Sequence, residues 1–371
     1  MKVLLIATVQ SHVAQFHKPM IKWLKSEGHI VHVGAKNNLH VKKDLSLNDP
    51  DEIFDIPFSR SPFSLKNIKA YKQVKKLLKD GGYDIVHCNT PIGGVITRLA
   101  GKRFRKKGLK IIYEAHGFHF FKGGSKKNWL LWYPIEKMLA KRTDVLVTMN
   151  KEDFALAQKK FKARHVCYTP GVGFDLNLFE NKTPVDLRKE YNLSDDDKII
   201  LSVGELNKNK NQETILKALA KLNNDKVHYF LAGNGPLREY LEQSAKKLGI
   251  DKNVHFLGYR RDLPSIYPLI DIFVMPSRRE GLPLSGLEAM SCGKPILTSN
   301  RRGLNDYSVD GVTGFKYHPD DVDGFKEGME KLLFTDGLKE SMAESCKEKA
   351  KEFSVEKALE AIKQAYEKAM E

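Results

Sequence analysis

The sequence predicts an α/β protein built from two doubly wound domains, and three observations carry that expectation. Short β-branched runs alternate with helical stretches, the alternation lapses once near the middle, and it then begins again. A chain of 371 residues also exceeds the usual size of a single hydrophobic core.

In the first half, KVLLIA, HIVHVGA, YDIVHC, KIIYEA and DVLVTM read as strands of a parallel sheet covered on both faces. Between the second and third, Ser64 to Asp80 carries Ile68, Tyr71, Val74, Leu77 and Leu78 at helical spacing, with Gly81 and Gly82 as the stop. From Thr169 to Asp197 the periodicity fades through PGVGFDLNLFENKTP into an acidic SDDD, which places the domain connection there. The second series runs KIILSVGEL, VHYFLAGNG, NVHFLGY, DIFVMPS and KPILTS. Segments 321–334, 337–352 and 354–370 read as closing helices from their Ala, Leu, Glu and Lys content. The expected layout is one domain over 1–170, a second over 185–352 and a last helix over 353–371. In such sheets ligands sit beyond the carboxyl ends of the strands.

Composition narrows the function. The chain is 41% apolar and 29% charged, as expected of a soluble globular protein. Its net charge of +16 is lopsided: residues 1–180 hold 32 Lys and Arg against 15 Asp and Glu, whereas residues 181–371 hold 30 against 31. The densest runs, KRFRKKGLK (102–110) and FKGGSKK (121–127), suit an anionic partner or, more blandly, a solvated face. The apolar start MKVLLIATVQ is too short for a signal-peptide core, and no run approaches a membrane span. Four scattered cysteines form no C-x-x-C pair, so neither a zinc site nor a disulfide scaffold is indicated and a reduced, cytoplasmic protein is expected.

The strand-end loops carry the chemistry. The first turn, ATVQSHVAQFHKP, lacks every glycine of a dinucleotide fingerprint, which argues against hydride transfer. VGELNKNKN puts Lys208 and Lys210 ahead of a helix starting near Gln212, a setting that binds phosphate by N–H groups, dipole and point charge. LAGNGPLREYL places Gly233 and Gly235 in a tight turn where glycine permits positive φ and close backbone approach to a ligand, with Pro236 suited to the first helical position. In SRREGLPLSGLEAMSCGKPIL, Glu280 precedes a short helix from Leu284 to Cys292 that Pro283 can start and Gly293 can end. Glu288 lies two turns in, eight residues from Glu280, a spacing that suits no helical charge ladder. Two carboxylates flanking free N–H groups near Leu284, Ser285 and Gly286 fit two hydroxyl-bearing rings on either side of a diphosphate.

These residues carry a family resemblance. Glu280 and Glu288, followed by EAMSCGKPIL and DGVTGF, resemble the signature of family 4 retaining glycosyltransferases of the GT-B fold, and YEAHGFHF resembles a bacterial capsule and exopolysaccharide subgroup. The resemblance implies two facing Rossmann-like domains with the last helix, 353–371, crossing back to the N-terminal one, and it implies that Glu280 contacts the transferring sugar, Glu288 the ribose hydroxyls, and Lys210 the diphosphate. Gly258, Tyr259 and Arg260 match the loop that reads the base, most often uracil, and His116 matches the active-site histidine. Glu205 occupies the place of the usual arginine, so Lys208 is expected to replace its charge. The implied reaction is a metal-independent, cofactor-free transfer from a UDP-sugar to a lipid-linked saccharide, with the leaving diphosphate assisting the incoming hydroxyl. For an anionic membrane surface on the inner face of the cytoplasmic membrane, the candidate contacts are Lys122, Lys126, Lys127, Phe120 and Phe121. A helix covering the sheet is the alternative account of Trp132, Ile135 and Leu139.

Three competitors are set aside on sequence. A metal-dependent GT-A enzyme would use an Asp-x-Asp pair, but DPD (49–51), DDD (195–197) and DVD (321–323) sit in polar turns or helix starts. UDP-sugar 2-epimerases share the two-domain plan without the E-x7-E block. No nucleic-acid motif accompanies the basic half.

Overall fold

A computed structural model describes residues 1–41, 45–179 and 185–371. The chain divides into two compact units, Met1–Gly173 with Val355–Glu371, and Phe174–Ser354. Of the expected connecting stretch, residues 180–184 lie outside the described residues.

The first unit is a seven-stranded parallel sheet of β1 (Lys2–Val9), β2 (Ile30–Lys36), β3 (Glu52–Asp55), β4 (Ile85–Asn89), β5 (Lys110–Ala115), β6 (Val145–Thr148) and β7 (His165–Tyr168). Their spatial order is β3-β2-β1-β4-β5-β6-β7. Val3 to Ala7 are almost wholly shielded because β1 is central and covered on both faces, which is why it reads as a continuous apolar run. The order reverses between β1 and β4, and the loops leaving those strands diverge there. The helix Val355–Met370 returns to this unit, burying Ile362, Ala365, Tyr366 and Ala369, an i, i+3, i+4, i+7 stripe, against the face that carries Val31, Ile112 and Val145. Tyr366 sets its ring edge-on to Trp23 at 5.4 Å and shares a hydrogen bond of 3.1 Å with His87 Nδ1.

The second unit is a six-stranded parallel sheet of β8 (Lys198–Val203), β9 (Val227–Ala232), β10 (Val254–Gly258), β11 (Ile272–Met275), β12 (Ile296–Ser299) and β13 (Gly314–Tyr317), ordered β10-β9-β8-β11-β12-β13. Its order reverses between β8 and β11. Helices Val322–Phe334 and Leu338–Lys351 close it, as their composition predicts.

Three strands escape the sequence reading: β3 (EIFD), β7 (HVCY) and β13 (GFKY). Each is a four-residue edge strand, paired on one side and incompletely buried, so it carries no sustained apolar run. The Asp-x-Asp candidates have structural work: Asp51 accepts from Val31 N over 2.8 Å, Asp197 from Ser194 N over 2.7 Å and Asp321 from Gly324 N over 2.8 Å.

Candidate functional site

In the second unit the loops that follow β8 and β11 meet at the point where strand order reverses. Asn207 Oδ1 accepts from the backbone N–H groups of Asn209 and Lys210 at 2.9 and 3.0 Å, folding the β8 loop into a compact turn. Asn209 Nδ2 donates to Arg279 O over 2.9 Å, and Arg278 N donates to Asn209 O over 2.8 Å, so the two loops are stitched by one main-chain bond and one side-chain bond to the main chain. Lys210 Nζ then donates to Glu280 Oε1 over 2.8 Å, with both side chains mostly shielded. The residues expected at the diphosphate and at the transferring sugar are therefore in direct contact.

The helix Leu284–Ser291 follows, starting where expected with Pro283 at its N-cap and ending one residue earlier with Cys292 as its C-cap, and Gly293 lies beyond it at φ 71°. Its first-turn N–H groups, from Leu284 to Gly286, have no acceptor within the helix. Glu288, two turns in, accepts from Tyr267 Oη over 2.8 Å. Burial raises the Glu288 carboxyl above the ordinary carboxylate range, and the Tyr267 bond offsets part of that rise. Burial, then the Glu288 charge, raises the Tyr267 phenol well above its usual value. Tyr267 thus fixes the carboxylate as a hydrogen-bonded acceptor. Ser285 Oγ lies 3.5 Å from Val203 O. Gly286 leaves room for the buried Tyr307, whose hydroxyl a methyl group there would meet at 2.5 Å.

Gly233 and Gly235 bring two loops together, with Gly233 at φ 142°. A methyl group on Gly233 would lie 2.0 Å from Gly204 O, and one on Gly235 would lie 2.3 Å from Leu206 O. Their lack of a side chain lets the β9 loop press on the β8 loop, a bond from Leu206 N to Asn234 O at 3.0 Å completing the contact. Pro236 precedes the helix Arg238–Lys247 by two residues and does not occupy its first turn. Gly258 adopts φ 66°, Tyr259 stands exposed, and Arg260 is held by Asp262 at 2.8 and 2.7 Å and by Glu190 at 3.3 Å. The Arg260 side chain is thereby occupied by carboxylates of this unit.

Lys208 faces a neighbouring cavity of about 410 Å³, which it lines with Gln212, Glu213, Tyr240 and Arg278, while Glu205 accepts from Asn207 Nδ2 over 2.9 Å. A basic group that the sequence reading missed is Arg279, adjacent to Glu280. Burial lowers its pKa and the charge of Arg302 lowers it further, so two guanidinium groups repel one another beside the Glu280 loop. Only the fold brings Arg302 there, through Gly303, where a methyl group would meet Gly281 O at 2.2 Å.

In the first unit His116 follows β5, and its Nε2 lies 3.2 Å from Asn89 Oδ1 at the end of β4. Its ring packs on His12 at 4.6 Å and on His17 at 5.5 Å. Burial depresses all three imidazoles, His17 to about 3, and the buried Glu114 only partly opposes this for His17 and His116, so the rings are neutral near pH 7. A cavity of about 460 Å³ opens at the reversal of strand order, lined by Ser11, His12, Arg60, Thr90, His119 and Trp132 among others. His119 stacks on Trp132 at 4.8 Å, and Thr8 Oγ1 and Thr90 Oγ1 share a hydrogen bond of 2.7 Å beneath them. The larger cavity of this unit, about 570 Å³, lies at the amino ends of its strands around Lys2, Glu52 and Tyr83, away from where such sheets bind ligands.

The loop phenylalanines require a correction. Phe120 and Phe121 are buried, Phe120 stacking on Phe118 at 5.0 Å and meeting Tyr133 and Phe161, so they build the core and present nothing to a membrane. Leu139 is also buried and Trp132 packs on the core, as the alternative account of this helix requires. Outward-facing are Lys122, Lys126, Lys127, Leu130 and Leu131. Lys126 and Lys127 occupy the first turn of the helix Lys126–Ala140 with no acidic residue there, against the helix dipole. Among the described residues no helix is long and apolar enough to cross a membrane.

Comparison with known proteins places this geometry. Residues 185–353 match the family described as Glycosyl transferases group 1, and residues 2–150 match Glycosyl transferase 4-like. EpsD of Bacillus subtilis (strain 168), which carries a provisional glycosyltransferase name, is 38% identical over 89% of this chain and 87% of its own. An Escherichia coli UDP-Gal:alpha-D-GlcNAc-diphosphoundecaprenol alpha-1,3-galactosyltransferase is 30% identical over 77% and 76%. In structure, Anabaena HepE in complex with UDP and glucose aligns with a TM-score of 0.78 at 21% identity, covering 99% of both chains.

Proposed function

This chain belongs to the group 1 glycosyltransferases and has the GT-B fold, and from that premise we propose that it moves a hexose or N-acetylhexosamine from a UDP-sugar to a lipid-linked saccharide, with retention at the anomeric carbon. The observation that carries the reading is the assembly in the second unit of Lys210, Glu280, the first turn of Leu284–Ser291 and the Tyr267-held Glu288. Glu288 takes the ribose hydroxyls and the backbone around Gly258 takes the base. The helix N–H groups and Lys210 meet the diphosphate, and Glu280, released from Lys210, turns to the sugar. The charge missing at Glu205 comes from Arg279, whose repulsion by Arg302 an intervening phosphate would relieve.

Chemically, the bond from the anomeric carbon to the β-phosphate oxygen breaks and the diphosphate takes both electrons. The acceptor hydroxyl bonds to that carbon on the same face and passes its proton to the departing phosphate. The protein orients both reactants and stabilises the anionic leaving group, so no divalent cation is required. His116 contributes from the acceptor side as a neutral hydrogen-bonding group. The exposed Lys122, Lys126 and Lys127, two of them set against a helix dipole, support peripheral attachment to an anionic inner membrane face, where a lipid-diphosphate acceptor resides. The E. coli relative is named for such an acceptor, which supports this choice.

The test is UDP release across a panel of UDP-sugars with a lipid-diphosphate sugar as acceptor, run with and without EDTA. Acceptor-dependent release that survives EDTA is expected. Release restored only by manganese would overturn the metal-independent reading, and no release with any UDP-sugar would overturn the donor class.

A further inference from the structure

We infer that His12, His17 and His116 form a binding site for a divalent transition-metal ion of the zinc class, separate from the donor chemistry. One ring nitrogen from each of the three lies within 4.8 Å of those of the other two. His12 Nε2 and His17 Nε2 are 3.4 Å apart. Tetrahedral zinc at about 2.0–2.1 Å from nitrogen sets its ligands roughly 3.3–3.4 Å from one another, so that pair already has the required edge. Bringing the remaining nitrogen from at most 4.8 Å to the same spacing takes a movement of up to about 1.4 Å, within reach of a ring rotation.

The surroundings match what such an ion needs. The ligands come from three places in the fold, the helix Gln10–Phe16, the junction that follows it and the loop after β5, so they converge rather than line one helix face. His116 Nε2 faces Asn89 Oδ1 at 3.2 Å, the outer partner that orients a ligating imidazole. Glu114, buried and 3.2 Å from His87 Nε2, supplies a fixed negative charge beside the cluster. Three imidazoles suit zinc, copper or nickel rather than magnesium or calcium, and three protein ligands leave a fourth position for water or an anion. The cavity lined by His12 supplies the entry path.

The full chain, stripped with EDTA and dialysed, is titrated with ZnCl2 by calorimetry and with CoCl2 followed by its visible spectrum. The expected result is one equivalent per chain and the strong visible absorption of four-coordinate cobalt. His17→Gln and His116→Gln each weaken zinc binding at least about 100-fold, and Asn89→Ala weakens it about 10–100-fold. His318→Gln, on the exposed surface of the second unit, leaves it unchanged. Circular dichroism checks each variant, and if His17→Gln does not fold, His12→Gln and His116→Gln, both at half-buried positions, decide the matter. Substoichiometric binding, or affinity unchanged in the folded variants, would show that the three rings only pack on one another. The readout is metal binding, so its failure leaves the sugar-transfer reading intact.

Discussion

The two units share a sheet plan but hold their candidate sites by different physics. In the second, two loops are stitched by Asn209 through its side chain and its main chain and latched by the Lys210–Glu280 ion pair, with Arg278 tied to Asp320 and to Asn211 beside them. In the first, the equivalent crevice is lined by the uncharged His12 imidazole, a stacked His119–Trp132 pair and Arg60. One site gathers fixed charge, and the other gathers aromatic faces and hydrogen-bonding groups; in the proposed reaction the first would take the diphosphate and the second the acceptor sugar. The difference teaches that repeating a fold does not repeat its chemistry, which resides in the strand-end loops.

The largest expected effect sharpens the contrast at Glu280. Glu280→Ala lowers kcat by about 100-fold or more, the cost of a misplaced reacting group, with a smaller change in donor KM. Steady-state kinetics on the best UDP-sugar checks it. Glu280→Gln, which keeps hydrogen bonding without charge, tells orientation from electrostatics: if most activity survives, orientation dominates.

Next comes the frame that holds the charged site. Gly233→Ala forces a side chain at φ 142° against Gly204 O and destabilises the second unit by about 1–3 kcal/mol. Denaturant unfolding followed by a probe in each unit reads it. An equal loss in the first unit would contradict the assignment of the strain to the β8–β9 loop contact.

A smaller effect tests the basic face of the first unit. Changing Lys122, Lys126 and Lys127 to Glu removes on the order of 1 kcal/mol of anionic-vesicle binding per residue and lowers turnover of lipid-linked but not soluble acceptors. Vesicle sedimentation at two salt concentrations measures this, and unchanged binding would leave these lysines as a solvated face.

The smallest effect concerns acid. In the second unit His255 and His228 share a hydrogen bond of 3.1 Å, and burial, then His228, lowers the His255 pKa to about 4. Between that value and about 6.5 the unfolded chain binds the extra proton, so stability falls as the pH is lowered through this window. The group is partly exposed, which holds the loss below about 1 kcal/mol per pH unit. His255→Phe flattens the pH dependence of the second unit if this assignment holds.

What the sequence revealed follows the same division. Central strands such as KVLLIA were legible because burial on both faces demands apolar runs, while the edge strands EIFD, HVCY and GFKY carry no such demand. Glu280 and Glu288 were legible because one short segment carries both. Tyr267 and Arg302 were not, since only the packing of separate segments brings them to those carboxylates, and Arg279, though next to Glu280 in sequence, was missed because only its burial beside Arg302 marks it out. The crevice of the first unit was least legible: His12, Arg60, Thr90, His119 and Trp132 come from five separate places in the chain, and no spacing links them. Phe120 and Phe121 misled because an aromatic residue in a basic loop has the same composition whether it faces lipid or core.

The account turns on how the two carboxylates divide the donor, and calorimetry of UDP and of the intact UDP-sugar against both alanine variants measures that directly. Glu288→Ala should weaken UDP and UDP-sugar alike, by about 1.5–3 kcal/mol for a lost charged hydrogen-bond partner. Glu280→Ala should leave UDP affinity intact or slightly tighter, because it frees Lys210 for the phosphates, while weakening the UDP-sugar relative to UDP. If Glu280→Ala instead abolishes UDP binding and Glu288→Ala leaves it untouched, the assignment of ribose and sugar to these two residues is contradicted.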